Sequence, residues 1–199
     1  MLTQLRPALV VFAALAALTG FAYPFAMTGI AQIAMPGRAG GSLIEKDGVV
    51  IGSALIGQSF ASDRYFHGRP SATTAPDPAD ATKTVPAPYN AGNSMGSNLG
   101  PTSAALAERV QADIAALTAQ NPGTPVPMDL VTTSASGLDP DVSPEAALFQ
   151  VPRIAKARGL AEDQLRSLVA ERTEGRELGI LGEKRVDVLA LNLALDALK

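Results

Sequence analysis

Apolar positions run unbroken near the N-terminus and become periodic only afterwards. From Pro7 to Gly37 no residue is charged, and PALVVFAALAALTGFAYPFAMTGIAQIAM fills Pro7 to Met35. A helix crosses roughly 30 Å of hydrocarbon with about 20 apolar residues, so the pattern predicts a transmembrane helix over 8–32, a tip at 1–7 and an exit linker at 33–42. Pro7 suits a first turn, whereas Pro24 removes an interior N–H and predicts a kink or the end of the span. The competing reading is a cleaved signal peptide with Gly20-Phe21-Ala22 at its cleavage site. Hydrophobicity that continues through Phe25, Met27, Ile30 and Ile33 favours the anchor. Arg6 and the amino terminus on the short side put that end in the cytoplasm.

Beyond the span the pattern changes. Leu43–Lys46, Asp47-Gly48 and Val49–Gly57 read as a hairpin, because both central residues of a type I′ turn need positive φ. Gly68 to Pro101 holds six prolines, four glycines and four charged residues, with no periodicity. The stretch is bracketed by Tyr65-Phe66-His67 and carries Tyr89, Met95 and Leu99, so it reads as a long loop pinned by contacts, not a linker. Thr102 or Ser103 caps a helix to about Ala119, with Leu106, Val110, Ile114 and Leu117 on one stripe. Met128–Thr133 reads as a strand. Ser143 caps a helix that has Pro144 in its first turn, bends at Pro152 and closes at Gly159. A helix follows over Glu162–Glu171, and Val186–Leu198 fits a helix or a buried strand. The expected fold is α+β: one N-terminal transmembrane helix followed by a single extracytoplasmic domain, 43–199, with a β-hairpin, a long ordered loop and several helices.

Composition narrows the chemistry. The 199 residues include no Cys, no Trp and one His, and the net charge is −3. A disulfide or thiolate metal site is impossible, and a zinc hydrolase lacks its imidazoles. Nucleic-acid binding needs a basic surplus that is absent. Without Arg6 and Arg38, 14 basic residues face 19 acidic ones, so the outer domain is mildly acidic.

Local motifs are weak. Gly96–Thr102 runs into a helix start, where N–H groups favour an anion, but Pro101-Thr102 stands where a P-loop has its lysine. Ser134–Asp141 fits neither an EF-hand nor a nucleophile elbow. His67 reads as a polar member of an aromatic cluster with Tyr65 and Phe66. Lys184-Arg185 and Arg153, Lys156 and Arg158 read as solvated helix faces. No catalytic residue and no metal ligand is expected.

Taken in order, Ser53–Phe60 (SALIGQSF), Tyr65–Ala72 (YFHGRPSA), Ser94–Thr102 (SMGSNLGPT), Asp129–Pro140 (DLVTTSASGLDP), Gln150–Arg153 (QVPR) and Val188–Asp196 (VLALNLALD) make the chain resemble the C subunit of the Kdp potassium-transporting P-type ATPase. Met95 and the stretch from Thr82 to Pro88 depart from that pattern. The resemblance implies a bacterial inner-membrane complex. In it a channel-like A subunit selects K⁺, a B subunit hydrolyses ATP through an aspartyl phosphate, and a small F subunit stabilises the assembly. The C subunit is a non-catalytic accessory, a catalytic chaperone that raises the ATP affinity of the B subunit. ATP, K⁺ and Mg²⁺ then belong to the complex, with no cofactor held tightly by this chain, and membrane lipid is a further partner. The resemblance carries Gln150 over as a nucleotide-contact candidate. Arg69, Asn98, Ser134, Ser136 and Asp139 are candidates for a loop surface facing a partner or the pore. An outer domain lies on the side without ATP, which favours action at a distance through the membrane helices. The alternative is a membrane-anchored periplasmic enzyme or envelope-binding module using the 68–101 loop as a lid.

Overall fold

The computed structural model describes residues 2–198. Met1 and Lys199, the ends of the expected tip and outer domain, lie outside the described residues. Helix α1, Leu5–Ala34, is a continuous 30-residue apolar helix of mean hydropathy 1.9 with none of its apolar window buried. At 1.5 Å per residue it is about 45 Å long, enough to cross a bilayer core with tilt. Pro24 does not end it. The turn before it, Leu18–Ala22, widens to π geometry, and the Tyr23 N–H reaches the Leu18 carbonyl five residues back. That widening relieves the clash of the Pro24 ring with the carbonyl four residues earlier. The helix therefore runs on to Ala34, and one more helical turn, Pro36–Ala39, follows.

Strands β1 (Leu43–Lys46) and β2 (Val49–Ser53) pair antiparallel. Asp47 and Gly48 have φ of 53° and 76°, both positive as the predicted turn requires. β2 stops at Ser53, short of the expected Gly57, whose N–H instead bonds the Leu138 carbonyl at 2.9 Å. A first compact unit ends at Ser53 and a second begins at Ala54.

The core of the second unit is built by α3 (Pro144–Arg158), α4 (Glu162–Arg172) and α5 (Val188–Ala197), with the two-residue strands β5 (Asp141–Val142) and β6 (Val186–Asp187) tying their starts together. Ala146, Val151, Ile154, Leu165, Val169, Val186, Leu191 and Leu195 close around Phe66, all of them essentially without exposure. The caps are local. Ser143 Oγ accepts from Ala146 N at 3.0 Å and Asp187 Oδ1 from Ala190 N at 2.6 Å. Gly159 takes the left-handed conformation that ends α3. Val186–Leu198 is thus both alternatives in turn, a short strand and then a helix.

Two further elements complete the unit. The long loop is ordered around a small hairpin, β3 (Thr74–Pro76) with β4 (Thr84–Pro86). Helix α2, Ala104–Gln120, is capped by Ser103 and contains no buried residue, although Leu117 packs on the core. One expected strand is corrected. Met128–Leu130 is a 3₁₀ turn, because Leu130 N bonds Pro127 O and Val131 N bonds Met128 O, each at 3.1 Å. Those local bonds use the backbone groups that a strand pairs.

Candidate functional site

The segment from Asp63 to His67 lies over α3 and α5 as a strap. Five consecutive carbonyls are each taken by a side chain from those helices. Asp63 O and Tyr65 O accept from Arg153 Nη1 and Nη2 at 2.7 and 3.0 Å. Arg64 O accepts from Arg158 Nε at 2.7 Å, Phe66 O from Asn192 Nδ2 at 2.9 Å, and His67 O from Gln150 Nε2 at 3.0 Å. The two carboxamides also accept the matching N–H groups, Phe66 N to Asn192 Oδ1 at 2.9 Å and His67 N to Gln150 Oε1 at 2.8 Å. Gln150 and Arg153 are three apart on α3, and Asn192 and Asp196 four apart on α5, so each helix presents its pair on one face. Gln150 and Asn192 are 4% and 2% exposed. Their amides replace a missing neighbouring strand for backbone groups that burial would otherwise leave unpaired.

Arg153 and Arg158 are not the solvated residues expected, since their side chains are only 10% and 9% exposed. Arg158 pairs with Asp196 at 2.7 Å and lies 4.7 Å from the Tyr65 ring centroid. Burial also depresses the His67 pKa, and Nε2 of that ring meets Ser62 O at 3.0 Å.

Four of the five loop candidates come together in a second cluster. Arg69 pairs with Asp139 at 3.0 Å, and its Nη2 reaches Thr132 Oγ1 and Thr133 O at 3.4 Å. Ser134 is buried and its Oγ accepts from Gly137 N at 2.9 Å, while the Ser136 carbonyl accepts from Ser94 Oγ at 3.0 Å. Tyr89, whose OH donates to Arg69 O at 2.6 Å, fastens the long loop here. Burial, helped by the Asp139 carboxylate, pushes the Tyr89 pKa up to about 12. Gly137 has φ +67°, and a Cβ there meets Thr73 Cγ2 at 2.5 Å and Met95 O at 2.6 Å. Asn98 lies apart, exposed on the loop with φ 51°.

Beside the cluster an open cleft of about 640 Å³ is lined by Asp129, Asp139, Asp141, Glu145 and Arg185. Asp141 and Asp187 face each other across β5 and β6. Burial first, then the Asp187 charge, pushes the Asp141 pKa up to about 6, opposed by Arg185 Nε at 3.3 Å. Burial raises Asp187 in the same way. Among the described residues no three His, Asp or Glu side chains converge as a metal requires.

The matched segments therefore hold structural work: a strap on helix side chains and a loop knotted around Arg69 and Asp139. A family profile described as the K⁺-transporting ATPase c chain, KdpC, matches residues 5–197. Relatives named potassium-transporting ATPase KdpC subunit are similar along the chain. That of Methylorubrum populi is 72% identical over 198 residues, covering 100% of this chain and 98% of the relative. That of Methylobacterium nodulans is 72% identical over 198 residues with the same coverage. That of Rhodopseudomonas palustris is 67% identical over 199 residues, the whole of both. Since the profile and these alignments take in the apolar helix, the strap and the knotted loop alike, the chain belongs to the KdpC family.

Proposed function

We propose that this chain is the non-catalytic accessory subunit of an ATP-driven potassium uptake complex, needed for assembly and activity. It promotes ATP turnover by the P-type subunit from the outer face of the membrane. Its partners are the channel-like subunit, the ATP-hydrolysing subunit and the small stabilising subunit. K⁺, ATP and Mg²⁺ are handled by those partners. The observation that carries the reading is a near-full-length match to ATPase c chains on a chain whose helix α1 is long and apolar enough to cross a membrane. The N-terminal tip is cytoplasmic and the second unit is periplasmic.

Gln150 acts in this reading as a positioning residue. Its side chain already serves His67 N, His67 O, Ala146 O and Arg153 Nη2, all within 3.2 Å, so a nucleotide reaching it has to break the strap. The effect on ATP turnover therefore passes through the assembled membrane helices.

The test is co-purification of the tagged chain in mild detergent with an assay of K⁺-stimulated ATP hydrolysis. Recovery with a P-type subunit and a channel-like subunit supports the proposal, and recovery alone in several detergents ends it. Placement is read by labelling Ser136→Cys in intact cells with an impermeant maleimide. Labelling from the cytoplasmic side alone overturns the periplasmic assignment. A Gln150→Ala change that raised KM for ATP while assembly and K⁺ affinity stayed untouched would weaken the case for action at a distance.

A further inference from the structure

The hydrogen-bond ladder of helix α1 is open at its middle. In an α-helix the Thr19 carbonyl accepts from the N–H of residue 23, and in a π turn from that of residue 24. Here the Tyr23 N–H goes to Leu18 O, and residue 24 is a proline with no N–H to give. The same proline denies the Gly20 carbonyl its α-helical donor. The Thr19 hydroxyl does not stand in, since it donates to Leu15 O at 2.8 Å.

Depth gives this gap its meaning. Thr19 and Gly20 are the central pair of Leu5–Ala34, about 22 Å from either end of the helix. Lipid tails donate no hydrogen bond, and an open backbone group at that depth is tolerated only against protein or a water-filled cavity. A water molecule needs several polar partners, whereas the side chains around this turn are those of Leu15, Leu18, Phe21 and Phe25. Protein is the better match. The glycine agrees with it, because nothing in this chain calls for one. A Cβ at Gly20 meets nothing within 4 Å, and glycine weakens a helix interior. With Ala16 four residues earlier, Gly20 leaves a notch beside the open carbonyls, at the spacing that lets two membrane helices approach closely.

We infer that the Thr19 and Gly20 carbonyls form an acceptor site for a hydroxyl or carboxamide side chain, carried by a membrane helix of another subunit seated in the notch of Ala16 and Gly20. Uncharged donors of this kind bridge membrane helices, while a charged donor is costly to bring to the bilayer centre. Pro24 makes the site, by withholding the N–H that would close it. The inference rests on the accessory-subunit reading above, which supplies the second helix. It also reverses an ordinary expectation: Pro→Ala inside a helix strengthens the helix, but at position 24 it fills the acceptor and weakens the assembly.

The test is a competition in cells. The natural chain and a variant of the full chain, each with its own tag, are co-expressed with the other subunits, and the share of each in the purified complex is read by quantitative mass spectrometry. Pro24→Ala lowers the variant's share by about three- to thirtyfold, the worth of one interhelical hydrogen bond in a membrane. Circular dichroism of the variant in detergent shows helix content equal to or above that of the natural chain. Loss of the proline ring is separated from gain of the N–H by placing lactic acid at position 24 through nonsense suppression. That unit has alanine's methyl group but an ester in place of the amide, so a carbonyl of this turn stays open and the share returns toward the natural value. An undiminished share for Pro24→Ala, or a lactate chain as poorly incorporated as the alanine one, overturns the acceptor site. So does recovery of one tag with the other in the absence of further subunits, which identifies a second copy of this chain as the neighbour. Partner subunits recovered with the natural chain leave the accessory-subunit reading standing whatever the variants do, and their absence ends both.

Discussion

Asn192 and Gln150, carried by different helices, hold neighbouring peptide units in the same way: each side-chain amide takes both the N–H and the C=O of a single residue, Phe66 for Asn192 and His67 for Gln150. Replacing Asn192 with Ala strands two buried backbone groups. Each stranded group costs about 1–3 kcal/mol, so Asn192→Ala lowers stability by about 2–6 kcal/mol in denaturant unfolding. Gln150→Ala has an effect of the same sign. The double variant falls short of the sum, since the strap is released once. Strict additivity would mean that the two amides act on independent structures.

Arg158→Lys tests the other end of the strap. A lysine keeps the charge toward Asp196 but loses the planar fork that joins Arg64 O, Asp196 and the Tyr65 ring. The expected loss is about 1–3 kcal/mol, insensitive to added salt because most of it is hydrogen bonding and stacking. A loss that vanishes in high salt would identify the pair as simple surface charge.

Gly137 and Gly159 separate backbone strain from close packing. Both are left-handed, at φ 67° and 69°, but a Cβ at Gly159 meets nothing within 4 Å. Gly159→Ala therefore costs about 1–2 kcal/mol from conformation alone. Gly137→Ala adds overpacking against Thr73 and Met95 for a further cost of about 1–3 kcal/mol. Thermal unfolding of the two variants side by side reads the difference.

The second unit loses the stability contributed by Asp141 as pH rises. Asp141 titrates near 6 in the folded chain against 3.8 in its absence. A carboxyl whose pKa is raised by folding contributes stability that is complete below the unfolded value and gone above the folded one. The loss falls between about pH 4 and 6, and Asp187 adds to it in the same direction. Around Asp141 the charges of Asp139, Asp187 and Glu174 oppose ionisation and Arg185 favours it. Asp141→Asn flattens the profile of melting temperature against pH in that window. An unchanged profile removes Asp141 from the account.

Local signals were legible in the sequence, and long-range ones were not. The Asp47-Gly48 turn, the caps at Ser103 and Ser143 and the stop at Gly159 all sit where short-range chemistry puts them. The apolar run marked α1, although Pro24, preceded by a wider turn, did not end the helix. Arg153 and Arg158 read as solvated because helical periodicity does not report that distant carbonyls, some 90 residues away in sequence, wait for them. The strand expected at Met128–Thr133 failed for a related reason: no partner strand exists for it among the described residues, and local bonds won. A signal for Asn192 was present, a single carboxamide inside the apolar run VLALNLALD. Burying it there demands a polar partner.

The strap has a kinetic consequence. Its bonds close sequence gaps of 83 residues to Gln150 and 126 to Asn192, and neither receptor faces a common surface until α3 and α5 have packed. Ordering Asp63–His67 first sacrifices chain entropy with no hydrogen bonds in return. The segment is therefore the last part to set, and its amide protection in a refolding time course dates the completion of the domain.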